Sequence, residues 1–213
     1  QWRPAMDAFV AHDRIAMPPA HGVLFVGSSS INYWHTLAAD FPGVPVINRG
    51  FGGSTIADAT CYADRIVTPY RPRVIVMYAG DNDIAAGRAP QDVAADLRAF
   101  VVRVRRELPG VPVIYVSIKP SVARWSLWPA MREANGLIRD WAAAQRDVRF
   151  VDIAPAMLDA RGKPRAELFR DDGLHMNAAG YAIWIAALKP VLAGYGFRTA
   201  QAASATPAAS ASK

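Results

Sequence analysis

Val23-Leu24-Phe25-Val26-Gly27-Ser28-Ser29-Ser30-Ile31 runs from four consecutive apolar residues through one glycine into three serines. An apolar run of that length with no polar alternation is the pattern of a strand covered on both faces, as in a parallel sheet layered between helices. Four more such runs follow, at residues 44–47, 74–78, 113–117 and 148–153, separated by longer stretches of helical period. The clearest of these starts near Pro90 and puts Val93, Leu97, Phe100, Val101, Val104 and Leu108 on one face, stopping at Pro109-Gly110. Further helices are predicted to begin near Ile31, near Ala57, at Pro129 with Met131, Ala134, Ile138 and Trp141 on one face, and at Ala178 behind the N-cap Asn177. Strand-helix alternation throughout predicts an α/β fold, a three-layer α/β/α sandwich around a parallel sheet of roughly five strands.

The composition fits that architecture. The chain has 213 residues, 52% of them apolar when alanine is counted, which suits one domain of about 150–200 residues with its own core. No stretch approaches the roughly 20 consecutive apolar residues of a membrane-spanning helix. The single Cys61 excludes an intrachain disulfide framework and a Cys-rich zinc module, and is expected to be a small buried apolar residue. The net charge of +6 is carried by arginines scattered from Arg3 to Arg198. Their longest cluster, Arg103, Arg105 and Arg106, reads as a solvated helix stripe, and without a nucleic-acid motif or a basic, aromatic-interleaved face no nucleic-acid partner is expected. Residues 199–213 have no large apolar side chain and are predicted to be a flexible Ala/Ser-rich tail, leaving residues 1–198 as the domain. The chain opens at Gln1 with no charged n-region or apolar h-region ahead of it, which fits either a product trimmed of a signal peptide or a chain trimmed otherwise. Together with the tail composition this tilts the expectation toward an exported, periplasmic or secreted protein over a cytoplasmic one. Oligomeric state is not legible.

Parallel α/β sheets bind ligands beyond the carboxyl ends of their strands, so the turns after the strands are where chemistry is expected. After the first comes Gly27-Ser28-Ser29-Ser30, which alone reads as an N-cap, a phosphate-cradling turn or a nucleophile; a Walker-type G-x-x-x-x-G-K is absent. After the second comes Asn48-Arg49-Gly50-Phe51-Gly52-Gly53-Ser54, where the last glycine of a dinucleotide fingerprint would fall on Thr55, leaving a tight turn or an anion-binding nest. Gly80-Asp81-Asn82-Asp83 follows the third. Beyond the fifth lies Asp171-Asp172-Gly173-Leu174-His175, and of His12, His21, His35 and His175 only the last has a carboxylate three residues ahead. Taken together, a serine, a backbone-exposing glycine, an asparagine amide and an acid-supported histidine at one sheet edge are the parts needed for acyl transfer from an ester. No H-E-x-x-H or His/Cys cluster supports a metal site.

These blocks resemble those of the SGNH, or GDSL-type, hydrolase superfamily over residues 22–192. FVGSSSI (25–31), INRGFGGST (47–55), YAGDNDI (78–84) and DDGLHMNAAGY (171–181) stand in the family's order. The resemblance implies a flavodoxin-like sheet and a serine esterase that needs no cofactor. It places Ser29 as nucleophile, His175 as base and Asp172 as its orienting acid, with the N–H groups of Ser29 and Gly53 and the Asn82 amide as oxyanion donors. Ser28 stands where the family's namesake block carries aspartate. The other large serine-hydrolase architecture is set aside, because its G-x-S-x-G elbow would need glycine where Ile31 stands. Trp34, Phe51, Arg124 and Trp125 neighbour these turns and are candidates for lining a sugar or short-acyl pocket. The expected substrate is a small-molecule or sugar ester with a short acyl group such as acetyl. A thioesterase, a lysophospholipase, or a catalytically silent module binding acylated glycans on the same scaffold are the alternatives. Arginines 98, 103, 105, 106, 139 and 146 fall on predicted helices while Asp81, Asp83, Asp171 and Asp172 gather at the edge, so a basic shell around a locally acidic site is expected.

Overall fold

In the computed structural model, which describes residues 1–198, all five apolar runs contribute a strand: β1 (Val23–Gly27), β2 (Val46–Gly50), β3 (Val74–Tyr78), β4 (Val113–Val116) and β5 (Val148–Val151). The predicted tail, residues 199–213, lies outside the described residues. The helices are α1 (Arg3–Ile15), α2 (Ser29–Asn32), α3 (Leu37–Asp40), α4 (Ile56–Cys61), α5 (Ala63–Ile66), α6 (Asp81–Ala85), α7 (Pro90–Glu107), α8 (Trp128–Ala143) and α9 (Ala178–Gly194). All strand pairs are parallel, in the order β2-β1-β3-β4-β5. From β1 the chain steps outward to β2 and then returns to β3 on the other side of β1. The crevice between β1 and β3 is therefore the switch point at which such sheets bind ligands.

Alternation along the strands divides the core in two. Leu24, Val26, Ile75, Met77, Val113 and Tyr115 pack under a layer built from α1, α4, α5, α7 and α8. Val23, Phe25, Val74, Val76, Ile114 and Val116 pack against α2, α3 and α9 on the opposite face. Because both faces are covered, β1, β3 and β4 are buried at every residue, which is why their sequences show no polar alternation. The edge strands differ. In β5 Arg149 is exposed, and in β2 Val46 and Asn48 are half-buried.

Three features depart from the sequence reading. The second strand is Val46–Gly50 rather than residues 44–47, so that Asn48, Arg49 and Gly50, read as turn, belong to the sheet. Pro45, with no N–H to give a ladder, marks where pairing begins, and Arg49 is tolerated because it is tied to Asp13 and Tyr70. Helix α1 was not anticipated. Only Met6 of its residues is fully buried, and Asp13 docks it by bonding Arg49 and the Tyr70 hydroxyl, partners far away in the chain. Cys61, expected to be buried, is exposed on α4. Among the described residues no helix is long and apolar enough to cross a membrane.

The tightest approach in the sheet is at the end of β1. Gly27 has φ +138°, and a Cβ there would lie 1.8 Å from the Tyr78 carbonyl oxygen. Gly27→Ala is therefore expected to cost roughly 3 kcal/mol or more, through a glycine-only conformation plus steric overlap with backbone. Urea unfolding would measure it, and a loss below about 1 kcal/mol would show that β1 and β3 can part without penalty.

Candidate active site

Backbone bonds around Gly27 draw three strand ends together. The Gly27 carbonyl accepts from the Phe51 N–H at 2.9 Å and from Ser54 Oγ at 3.2 Å, while the Ser28 N–H donates to the Tyr78 carbonyl at 2.9 Å. The turns after β1, β2 and β3 are thereby fixed side by side. Ser29 is the first residue of α2, with Ser28 at the N-cap position. Ser28 and Ser30 are buried and their Oγ atoms have no partner among the described residues, whereas Ser29 is half-buried. Of the three serines only Ser29 is placed against a histidine.

That histidine comes from the far end of the chain. His175 Nε2 lies 3.1 Å from Ser29 Oγ, and His175 Nδ1 lies 2.6 Å from Asp172 Oδ2. Asp172 Oδ1 accepts from the N–H groups of Leu174 and His175, each at 2.9 Å, so the acid and imidazole share one compact turn. The hydrogen bond to His175 is the largest influence on Asp172 and holds its carboxyl down at about 2. An ionised Asp172 accepts the proton of Nδ1–H, which leaves the Nε2 lone pair facing the serine hydroxyl. The turn is closed by Arg170 N–H to the His175 carbonyl and Gly173 N–H to the Arg170 carbonyl, both 2.8 Å. Tyr33 meets the imidazole edge-on at 4.8 Å, with the Arg170 guanidinium over its ring at 5.3 Å. On α9, the Tyr181 hydroxyl donates to the Ser30 carbonyl at 2.9 Å, pinning the last helix to α2.

Asn82 sits in the first turn of α6, and its Nδ2 donates to the Ser54 carbonyl at 3.0 Å. One amide hydrogen is thereby fixed on the turn after β2, and the other is aimed by it. Gly53 in that turn is exposed with φ +77°, and a Cβ on it would lie 3.2 Å from the Trp2 ring. Asp83, also on α6, ties the helix to α4 by accepting the Ile56 N–H at 3.1 Å; its Oδ2 has no partner among the described residues. Asp81 accepts the Asn82 N–H and meets Lys119 Nζ at 3.0 Å and Arg124 Nη1 at 3.3 Å. Burial would raise the Asp81 carboxyl, but Lys119 and Arg124 outweigh it and hold it below its usual value.

Two candidate lining residues are corrected. Trp34 and Phe51 are 1% and 2% exposed and present no face to a ligand. Trp34 lies 4.9 Å from the Tyr181 ring in a stacked pair and donates Nε1–H to Asp40 at 2.7 Å; Phe51 packs edge-on against Trp2. Being next to a turn in sequence does not say to which side of the sheet a ring turns. Trp125 stacks on Trp128 with Lys163 over its ring at 5.1 Å, while Arg124 reaches Asp81 beside Asn82. Sequence reasoning missed Tyr33, Trp2 and Lys119, whose neighbours come from distant segments; only the lysine among apolar residues after β4 was a signal.

This disposition, a serine and an aspartate-backed histidine at the carboxyl edge of a 2-1-3-4-5 sheet, is that of a hydrolase built on a flavodoxin-like three-layer sandwich, with its candidate site at the switch point. Residues 20–183 match the GDSL-like Lipase/Acylhydrolase family, and the chain belongs to it; it is a carboxylic ester hydrolase. No curated protein matches the chain. Solved structures of the same fold include a protein from Streptococcus pneumonia named for platelet activating factor (TM-score 0.79, 22% identity, covering 89% of this chain and 91% of that one). A GDSL-like lipase from Bacteroides thetaiotaomicron is similar at TM-score 0.73 and 21% identity, covering 89% and 97%. A carbohydrate esterase family 3 protein from Talaromyces cellulolyticus is similar at TM-score 0.63 and 19% identity, covering 82% and 97%.

Burial, its largest influence, pushes the Asp83 carboxyl up to about 6. Between about pH 4 and 6 the folded protein keeps a proton that the unfolded chain has released, so this group's contribution to stability falls as pH rises through that window, by about 3 kcal/mol in all. Asp83→Asn keeps an acceptor for the Ile56 N–H and removes the titration. The stability of the variant relative to the parent is expected to increase from pH 4 to pH 7, measured by urea unfolding at both; equal differences at the two pH values would place Asp83 at an ordinary carboxylate pKa.

Proposed function

We propose that this protein cleaves carboxylic esters of short acyl groups through an acyl-enzyme on Ser29. The observation that carries the reading is the relay of Ser29 Oγ, His175 and Asp172, at 3.1 and 2.6 Å, over the β1/β3 crevice. His175 Nε2 takes the hydroxyl proton as Ser29 Oγ attacks the ester carbonyl, and gives it to the leaving alkoxide. Asp172 holds the imidazole in the required tautomer and stabilises the imidazolium without taking the proton. The N–H groups of Ser29 and Gly53 and the Asn82 amide receive the oxyanion, and water then repeats the cycle on the acyl-enzyme. The full set of groups argues against a silent binding module. A short acyl group is supported by the absence of a long apolar insertion over the crevice in the sequence, and by the presence of an acetyl esterase and an acetylxylan esterase among proteins of this fold.

The test is a panel of p-nitrophenyl esters from acetyl to palmitoyl, with acetylated sugars and acyl-CoA alongside. Turnover is expected to fall steeply beyond butyryl, and a preference for decanoyl or longer would refute the short-acyl reading. Ser29→Ala should lose both turnover and labelling by a fluorophosphonate probe; undiminished labelling would move the nucleophile elsewhere. Asn82→Ala should lower kcat by about 10²- to 10³-fold, about 3 kcal/mol, with the fold retained by circular dichroism. Full activity in that variant would remove Asn82 from the oxyanion site.

A further inference from the structure

Residues 119–124 follow β4 at the carboxyl edge of the sheet. The Ala123 N–H donates to the Gly173 carbonyl at 3.0 Å, which joins this segment to the turn that carries Asp172 and His175. At its other end Lys119 and Arg124 meet Asp81, whose chain neighbour is Asn82. Arg124 is therefore held between the two halves of the proposed site, the oxyanion amide and the imidazole.

The charges there do not cancel. Lys119, 1% exposed, donates to Asp81 Oδ2 at 3.0 Å and to the Tyr78 hydroxyl at 3.1 Å, and these two buried groups neutralise each other. Arg124 is a second cation on the same carboxylate. Its Nη1 is buried 3.3 Å from Asp81 Oδ2, outside hydrogen-bond geometry and with no other partner among the described residues, while 20% of the side chain remains exposed. Asp83, on the same helix as Asp81, turns Oδ1 to the Ile56 N–H instead. Asp172, in the facing turn, has both oxygens engaged by His175 and Leu174. A guanidinium that shares its carboxylate with a buried lysine and keeps a fifth of its side chain exposed, next to the turn that bears Asn82, is suited to an anionic oxygen pair, which its planar fork binds in bidentate fashion.

We propose that Arg124 forms a subsite for an anionic group, a carboxylate or phosphate, carried by the ester substrate. The inference rests on the assignment of Ser29 as nucleophile and adds the substrate class. Lys119 is the positioning residue of this subsite, because by neutralising Asp81 it leaves the Arg124 charge free for the ligand.

The anion could belong to the acyl or to the alcohol portion, and two matched pairs of esters separate these. Mono-4-nitrophenyl glutarate against its methyl ester tests the acyl side; 4-acetoxyphenylacetate against its methyl ester tests the alcohol side. In one pair kcat/KM is expected to favour the anion by about tenfold or more, the usual effect of a hydrogen bond to a charged group. High ionic strength should reduce the preference, and Arg124→Gln should abolish it. A purely structural Arg124 would lower both members of a pair alike. Absence of a preference in both pairs for the parent protein, or its survival in Arg124→Gln, would overturn the subsite while leaving ester hydrolysis intact. Turnover of none of the four esters would overturn the ester reading and the subsite with it.

Discussion

The contact between Gly27 and the Tyr78 carbonyl is the constraint on which the catalytic edge depends. With no side chain at position 27, β1 can end against β3 closely enough for the Ser28 N–H to reach Tyr78 and for the Gly27 carbonyl to collect both Phe51 and Ser54. Three turns, bearing Ser29, Gly53 and Asn82, are then held in register by main-chain hydrogen bonds, and the Asn82 amide adds a fourth tie through the Ser54 carbonyl. A site assembled from strand ends is thus as rigid as the sheet itself, which is what pre-organised oxyanion stabilisation demands.

What the sequence made legible was whatever the backbone period and the strand ends determine. β1, β3 and β4 could be read because each is apolar throughout, and the turns that bear Ser29, Asn82 and His175 followed from where strands stop and helices begin, the choice of Ser29 among three serines resting on the family resemblance. The rest required knowledge of distant partners. The register of β2 was obscured by Arg49, a charged residue in a strand that makes sense only once α1 delivers Asp13 to it. Helix α1 carries Ala5, Met6, Phe9 and Val10 at spacings of three and four, but only Met6 is fully buried, and its docking rests on Asp13 meeting distant partners. Trp34 and Phe51 were misjudged for a related reason: a tryptophan five residues after a proposed nucleophile can face the core as readily as the crevice, and α9 was needed to show that Trp34 faces Tyr181.

The electrostatic picture changes most. Four aspartates near one sheet edge suggested a locally acidic site, yet their charges do not add. Asp81 is neutralised by Lys119, with Arg124 a second cation beside it, and burial makes Asp83 harder to ionise. Asp172 is engaged by the imidazole, and only Asp171 is exposed without such a role. A cluster of acids in sequence became, in three dimensions, one compensated ion pair, one reluctant acid and one histidine partner. Ser28, in the place of the family's aspartate, brings no charge to the turn; its hydroxyl is buried without a partner among the described residues.

The 146 residues that separate Ser29 from His175 have a kinetic meaning. Closing so long a loop is the entropically costly, non-local kind of step that slows folding, and here it is completed by α9 docking through Tyr181 onto α2. A chain that has already paired its five strands but not docked α9 would hold Ser29 without His175 and, on the proposed mechanism, be inert. If the proposed mechanism holds, recovery of ester turnover after dilution from denaturant times the arrival of the last helix, a clock for the end of folding carried in the protein's own chemistry.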